Sequence, residues 1–447
     1  MGGIINGRPT KTFFVNMITR DISIKDAILD LLDNSIDGAS RINRDDYSGL
    51  TIKLTINSDE FILEDNCGGF SLDIAQKYAF RFGRPIDAAA SGGTIGRFGV
   101  GMKRALFKMG DLFEVESKTE VDHFQVDVDV ELWKAKTQLV KINDGVEEEV
   151  EDWSFDYVLI SDDNLNLLES GTYIRVANLH TEVKAEFQDD AFLLSLEKDI
   201  ENLLNFSLEK GIQISLNDKI LERKAVEIFN ESSQPYKFEF NENGIDFRII
   251  AGLGETGVPS SAGWYVYCND RLVLEASTDS NTGWGVGSVP RFTNDFAMFR
   301  GVVFLNSEDT IKLPLTTTKK GIDTTSEVYK RALQFMNEGS LQVITFLKDV
   351  RKLEQPREYR TQLGDHEKVR LNVINLKTAE INAERQFTRP PIDYDEISRK
   401  SDYVRIACYK ERTIVDRVKE FNGAKTYTDL GSSIFDYYVE MEDLNNE

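Results

Sequence analysis

The sequence predicts a mixed α/β chain: a two-layer α+β sandwich with helices on one face of a mixed sheet, then a second α/β unit, then a polar extension. Three observations carry this. An amphipathic helix pattern over 26–39 is followed by two alternating segments of strand type, LTIKLTI at 50–56 and EFILE at 60–64. The alternation of strand and helix patterns restarts near Gly211 and runs into a long amphipathic stretch over 326–353. The composition, 41% hydrophobic and 29% charged over 447 residues, is that of a globular chain with room for two or three domains.

The bulk numbers also exclude functions. A formal charge of −23 argues against nucleic-acid binding through the whole surface. The charge is uneven: no Lys or Arg occurs between Ile142 and Ile174, whereas 327–400 holds 14 basic against 12 acidic residues. Any surface facing a polyanion therefore belongs to the C-terminal half or to a local pocket. Cys67, Cys268 and Cys408 are odd in number and far apart, which implies neither a disulfide framework nor a zinc site. No apolar run has the length of a membrane span and the N-terminus has no signal-peptide pattern, so the expectation is a cytoplasmic protein without a membrane partner.

Taken in order, residues 1–25 hold an apolar patch (Phe13, Phe14, Val15, Met17) before a helix start at Ser23. The patch fits either a strap packed on its own domain or an arm that crosses to a second protomer. In helix 26–39, Ile28, Leu31, Leu32 and Ile36 form the sheet-facing side, while Asp30, Asn34 and Asp37 recur at i, i+4 and i+7 with Asp33 beside them. That polar face reads either as a solvated surface or as a hard-cation site, because Asn and Asp oxygens suit Mg²⁺ that keeps waters and bridges to phosphates.

A tight Asp65-Asn-Cys-Gly-Gly69 turn follows, then a helix over 71–80. Between 81 and 110, glycines at 96, 99 and 101 lead into a helix over 102–109, and Arg81, Arg84, Arg97, Lys103 and Arg104 face the single acid Asp87. Glycines let backbone N–H groups approach an anion, and the helix N-terminus adds its dipole, so this stretch signals phosphate. Strands over 112–118, 123–130 and 171–176 enclose an acidic insertion at 142–170, and a helix over 187–206 closes a first domain at 1–210.

A second domain at 211–355 would hold strands at 212–216 and 238–250, a hairpin over 264–274 around Asn269-Asp270, a buried strand at 301–305, a polar loop at 312–321 with Lys319 and Lys320, and the long helix. From 356 to 447 the chain is polar and punctuated by Pro356, Pro390 and Pro391, which suggests extended structure. A last small unit starts at Tyr403, with a strand-like 403–409, a helix over 411–421, then 434–438 and an acidic tail.

These motifs together resemble the GHKL (Bergerat-fold) ATPases, the group of gyrase-type topoisomerases, HtpG-type chaperones, histidine kinases and MutL, with MORC-like members closest in pattern. Asp30-Leu-Leu-Asp33-Asn34-Ser-Ile-Asp37-Gly-Ala39 resembles the N box, and Asp65-Asn-Cys-Gly-Gly69-Phe70 the first glycine box. Gly96-Arg97-Phe98-Gly99-Val100-Gly101-Met-Lys103 resembles the second, Gly171-Thr172 the third, and Val266-Tyr-Cys-Asn269-Asp-Arg271 the N-x-R hairpin of a transducer domain. The resemblance covers about 10–345. It implies ATP and Mg²⁺ as cofactors, with Asn34 on the metal, Asp65 accepting from the adenine amino group, Gly69 and Thr172 beside the base, and Asp37 and Phe70 among the nucleotide-binding residues. It further implies an ATP lid over 81–101 whose donors close on the phosphates, and Lys319 (or the adjacent Lys320) reaching the γ-phosphate.

Two departures qualify the resemblance. Asp30 stands where the N box normally has a Glu general base, one methylene shorter, and a lost base typically costs about 10²–10⁴-fold in rate. Cys67 stands where the first glycine box usually has glycine. The leading expectation is an Mg-ATP-dependent switch that pairs two protomers through the N-terminal arm and acts on DNA or a protein partner, as MORC-like proteins do. A chaperone-like client remodeller and a nucleotide-bound scaffold with little turnover are the alternatives.

Overall fold

The computed structural model describes residues 7, 9–83, 101–141, 147–161, 166–223, 226–255, 259–316, 321–353, 356–378, 385–391 and 410–442. They fall in two compact units, Met1–Ile392 and Asp393–Glu447. The first described element is a helix: Thr10 caps α1 (Lys11–Arg20), which buries Lys11 and Val15 and leaves Phe13 and Met17 exposed. Ser23 then caps α2 (Ile24–Ile42), its Oγ accepting from Asp26 N at 3.1 Å. Ile28, Leu31, Leu32 and Ile36 are all buried, as the 3.6-residue period requires.

The first sheet starts with β1 (Thr51–Ile56) and β2 (Glu60–Asp65), each burying alternate residues. The helix expected over 71–80 is a single turn, α3 (Leu72–Ile74), that widens into a π-turn over Ala75–Ala79. After α4 (Gly101–Met109) come β3 (Gly110–Lys118), β4 (His123–Asp129) and the short α5 (Val130–Ala135). The acidic insertion forms a separate two-stranded hairpin, β5 (Thr137–Lys141) with β6 (Glu147–Glu151), and β7 (Val158–Leu159) then returns to pair with β4.

Beyond β8 (Gly171–Leu179), the single helix expected over 187–206 is instead three: α6 (Thr181–Phe187), α7 (Asp190–Leu203) and α8 (Asn205–Glu209). Asp189 causes the first break, because its carboxylate accepts from Ala191 N at 2.9 Å and caps a new helix. The strand expected at 212–216 as the start of the second domain belongs to the first sheet: β9 (Gln213–Leu216) pairs parallel with β1, and β10 (Lys219–Ile220) folds back on it. The resulting order is β10-β9-β1-β2-β8-β3-β4-β7. With β1 and β9 parallel and the other pairs antiparallel, the sheet is mixed, and one core cluster joins it to α2, α4 and α7.

After β11 (Ile228–Phe229), a five-stranded sheet is built from β12 (Tyr236–Glu242), β13 (Ile245–Leu253), β14 (Gly263–Cys268), β15 (Arg271–Ser277) and β16 (Phe299–Asn306), ordered β12-β13-β16-β14-β15. Asn269 and Asp270 both take positive φ, +47° and +69°, which fits a two-residue hairpin turn between β14 and β15. The long helix α9 (Glu327–Arg351) covers this sheet with Tyr329, Met336, Val343 and Leu347. The extended chain expected after 355 is instead α10 (Pro356–His366), β17 (Arg370–Leu371) and α11 (Val373–Thr378). β17 pairs with β11, and Leu371, Val373 and Leu376 join Phe206, Ile250 and Phe304 in one apolar cluster.

In the second unit, two helices are described, Arg412–Asn422 and Tyr427–Met441. The strand-like 403–409 lies outside the described residues, and 434–438 is helical. The second helix starts with a capping box, Thr426 and Asp429 exchanging hydrogen bonds.

Candidate functional site

The site forms where α2 crosses the ends of β2 and β8. Asp65 is the last residue of β2 and sits opposite Thr172 of β8. Its carboxylate is buried and held by three donors: Ser35 Oγ at 2.6 Å to Oδ2, and the backbone N–H groups of Cys67 at 2.9 Å and Thr172 at 3.1 Å to Oδ1. Burial pushes the Asp65 carboxyl above its ordinary value, while these hydrogen bonds, and Arg41 nearby, pull the other way. Thr172 thus joins this network through its main chain.

Glycines at this crossing are dictated by close approach. A Cβ on Gly171 would lie 1.9 Å from the Asp65 carbonyl oxygen. Gly69 has φ +60°, and a Cβ there would lie 2.4 Å from Lys118 O. Gly38 on α2 meets the Cys67 carbonyl in the same way, at 2.5 Å. Phe70 is pinned by Ser117, whose Oγ accepts from Phe70 N and donates to Phe70 O, both at 2.9 Å, and its ring packs edge-on against Phe124. Cys67 is buried, and burial pushes its thiol well above the usual range, so it is not a reactive thiol.

α2 supplies the polar face. Asn34 is exposed, whereas Asp30 and Asp37 are buried with 7% and 6% of their surfaces open. Asp30 Oδ2 accepts from Arg104 Nη2 of α4 at 2.5 Å. Gly101, the first residue of α4, faces the same carboxylate, a Cβ there lying 3.3 Å from Oδ2. Lys103 is buried; its ammonium donates to Ala79 O at 2.5 Å and lies 5.6 Å from the Phe82 ring, at the root of the 81–101 segment. Burial lowers its pKa to about 7.

Asp33 points away from this group. Fully buried, it forms an ion pair with Arg271 of β15, which ties the site helix to the second sheet. Asn269 of the same hairpin exchanges hydrogen bonds with the Ser307 backbone, both at 2.9 Å. Gly96, Arg97, Phe98, Gly99, Val100, Lys319 and Lys320 lie outside the described residues.

The crossing of a polar helix face with a glycine-lined loop over a buried carboxylate coincides with a family match. Residues 22–156 match the histidine kinase-, DNA gyrase B-, and HSP90-like ATPases. That segment holds α2, the Asp65 loop and α4, and members of this family are generally ATPases. No curated protein matches the chain. The match stops short of the second sheet and does not single out a MORC-like or HtpG-like type.

The residues fit an adenine nucleotide with Mg²⁺. A buried carboxylate at the end of β2 offers an acceptor, and an exposed amide on α2 suits a cation that keeps waters and phosphate oxygens. Among the described residues no cluster of three or more His, Cys, Asp or Glu side chains is arranged as a metal site of its own. No helix among them is long and apolar enough to cross a membrane. Ser35, Ser117 and Arg104 are the partners that sequence reasoning did not assign. Ser35 lay inside the N-box pattern, and Arg104 was visible only as one of several local cations.

Proposed function

We propose that the chain is an Mg-ATP-dependent conformational switch whose N-terminal site binds and hydrolyses ATP. The observation that carries this reading is the Asp65 carboxylate, buried and set by Ser35, Cys67 and Thr172 beneath α2, within the segment that matches the ATPase family. In this reading Asp65 accepts from the adenine amino group, Asn34 holds Mg²⁺, Asp37 lines the pocket, and Asp30 is the general base. Backbone donors of 96–101 and Lys319 receive the phosphates. Bound Mg²⁺ would supply charge neutralisation at the phosphates. The chain's own part is to orient base and phosphates and to keep the Asp30 carboxylate beside them.

The switch reading extends to a partner. α1 is anchored by Lys11, whose ammonium donates to Trp133 O at 2.5 Å and Lys136 O at 2.8 Å, while Phe13 and Met17 face outward with 59% and 51% of their surfaces open. An anchored helix with an apolar outer edge supports an ATP-dependent homodimer built through this arm, with DNA or a protein client as the downstream partner in a MORC-like way.

The test is ATP binding and phosphate release by the full chain. Wild type is expected to bind Mg-ATP in preference to Mg-GTP and to release phosphate, Asp65→Asn to lose most binding, and Asp30→Asn to bind but lose at least about 10²-fold in turnover. Equal turnover in wild type and Asp30→Asn would reduce the site to a nucleotide-bound scaffold. Sedimentation with a non-hydrolysable ATP analogue tests the dimer, and a protein that stays monomeric with nucleotide bound would remove it.

A further inference from the structure

The geometry points to Arg104 as the positioning residue for the Asp30 carboxylate in ATP hydrolysis, an inference that rests on the ATPase reading of the site. Asp30 is short: its carboxylate sits one methylene nearer to α2 than a glutamate carboxylate would. A short base tolerates less error in side-chain direction, because the distance to an attacking water is fixed almost entirely by χ1 and χ2. The structure fixes that direction from α4. Arg104 Nη2 reaches Oδ2 at 2.5 Å. Gly101, three residues earlier on the same helix face, leaves the space that the carboxylate occupies, since a Cβ there would approach Oδ2 to 3.3 Å. The carboxylate therefore lies over the first turn of a helix of nine residues that starts where the glycine-rich segment ends.

Arg104 is also built for more than bracing two helices. Its side chain is 22% exposed and that of Asp30 9%, so the pair is largely shielded yet still reaches the surface of the site. The Nε–H of Arg104 is buried and makes no hydrogen bond among the described residues. One end of the guanidinium is committed to Asp30, and a second donor remains on the same rigid plane. A lysine would keep the charge but lose that planar fork.

Steady-state ATPase assays on the full chain, with direct measurement of nucleotide affinity, test the assignment. Arg104→Ala is expected to lower kcat by about 10-fold to 10²-fold, with ATP affinity within about 3-fold of wild type, and Arg104→Lys to recover part of the loss. The decisive reading is non-additivity: Asp30→Asn with Arg104→Ala should be no slower than Asp30→Asn alone. If Arg104→Ala is poorly folded, Arg104→Gln and Arg104→Lys carry the same comparison. Unchanged kcat in the folded Arg104 variants, or losses that add to those of Asp30→Asn, would overturn the inference while leaving the ATPase reading intact. A wild type that binds ATP and turns over no faster than Asp30→Asn would overturn both.

Discussion

Asp30 and Asp33 stand three residues apart on α2, and each meets an arginine from another element. Their surroundings differ sharply. Asp33 and Arg271 have side chains 1% and 3% exposed, whereas Asp30 and Arg104 keep 9% and 22%. The Arg271 hairpin is held at its turn: Asn269 is bonded to Ser307, and Asp270 accepts from Lys210 at 3.1 Å and from Lys377. The same residue pair is thus used once as a joint between two sheets and once at the rim of a site. A fully buried ion pair loses hydration on both partners and contributes mainly by fixing geometry, and breaking one side leaves an uncompensated charge. A partly open pair keeps some access to water and substrate, and breaking it costs less than breaking a fully buried one.

Stability measurements break or sustain that contrast. Arg271→Ala should cost on the order of 3–5 kcal/mol, seen in the denaturant midpoint of the full chain, because Asp33 is left charged and buried. Arg104→Ala should cost less, about 1–3 kcal/mol, because the carboxylate it leaves behind is buried but not fully closed off. If Arg104→Ala proves the more damaging to stability, burial is not what separates the two pairs. A third carboxylate sharpens the series. Asp65 is also buried but is held by a hydroxyl and two backbone N–H groups. Ser35→Ala removes one donor from a buried acceptor, a loss of about 1–3 kcal/mol. Denaturant midpoints of the full chain are expected to show it.

The contrast between the two aspartates was not legible in the sequence, and the reason is physical. The helical period places Asp30, Asn34 and Asp37 on one face and correctly puts Ile28, Leu31, Leu32 and Ile36 inside. Periodicity says nothing about which distant arginine arrives, because Arg104 and Arg271 come from elements 74 residues or more away in sequence. Strands with strict alternation, such as β1 and β2, were readable because one face of each is buried. The break at Asp189 was missed because a capping aspartate inside an apolar-periodic run costs the pattern nothing. The polar stretch after 355 misled for a related reason: α10 and α11 bury only a few residues each, Tyr359, Leu363, Val373 and Leu376 among them, so their composition resembles linker. Cys67 and the glycines at 38, 69 and 171 were visible as a motif, but the reason for them, backbone contacts shorter than a Cβ allows, exists only in three dimensions.

Lys103 gives the smallest effect and bears on the same helix as Arg104. It is a cation turned inward, donating to the Ala79 carbonyl beside the Phe82 ring, and burial lowers its pKa to about 7. An unfolded lysine titrates near 10.4, so between about pH 7 and that value the unfolded chain binds more protons than the folded one. Stability then rises with pH across this window, and below about pH 7 the folded state carries the full cost of a buried ammonium. The carbonyl and the ring both favour the charged form and reduce that cost. From pH 6.5 to 8 the contribution of Lys103 should be on the order of 1 kcal/mol or less, read as the difference between wild type and Lys103→Met in denaturant midpoints at the two pH values. Lys103→Met should gain more stability relative to wild type at the lower pH than at the higher. A difference independent of pH would mean that the ammonium stays charged throughout, held by the Ala79 carbonyl.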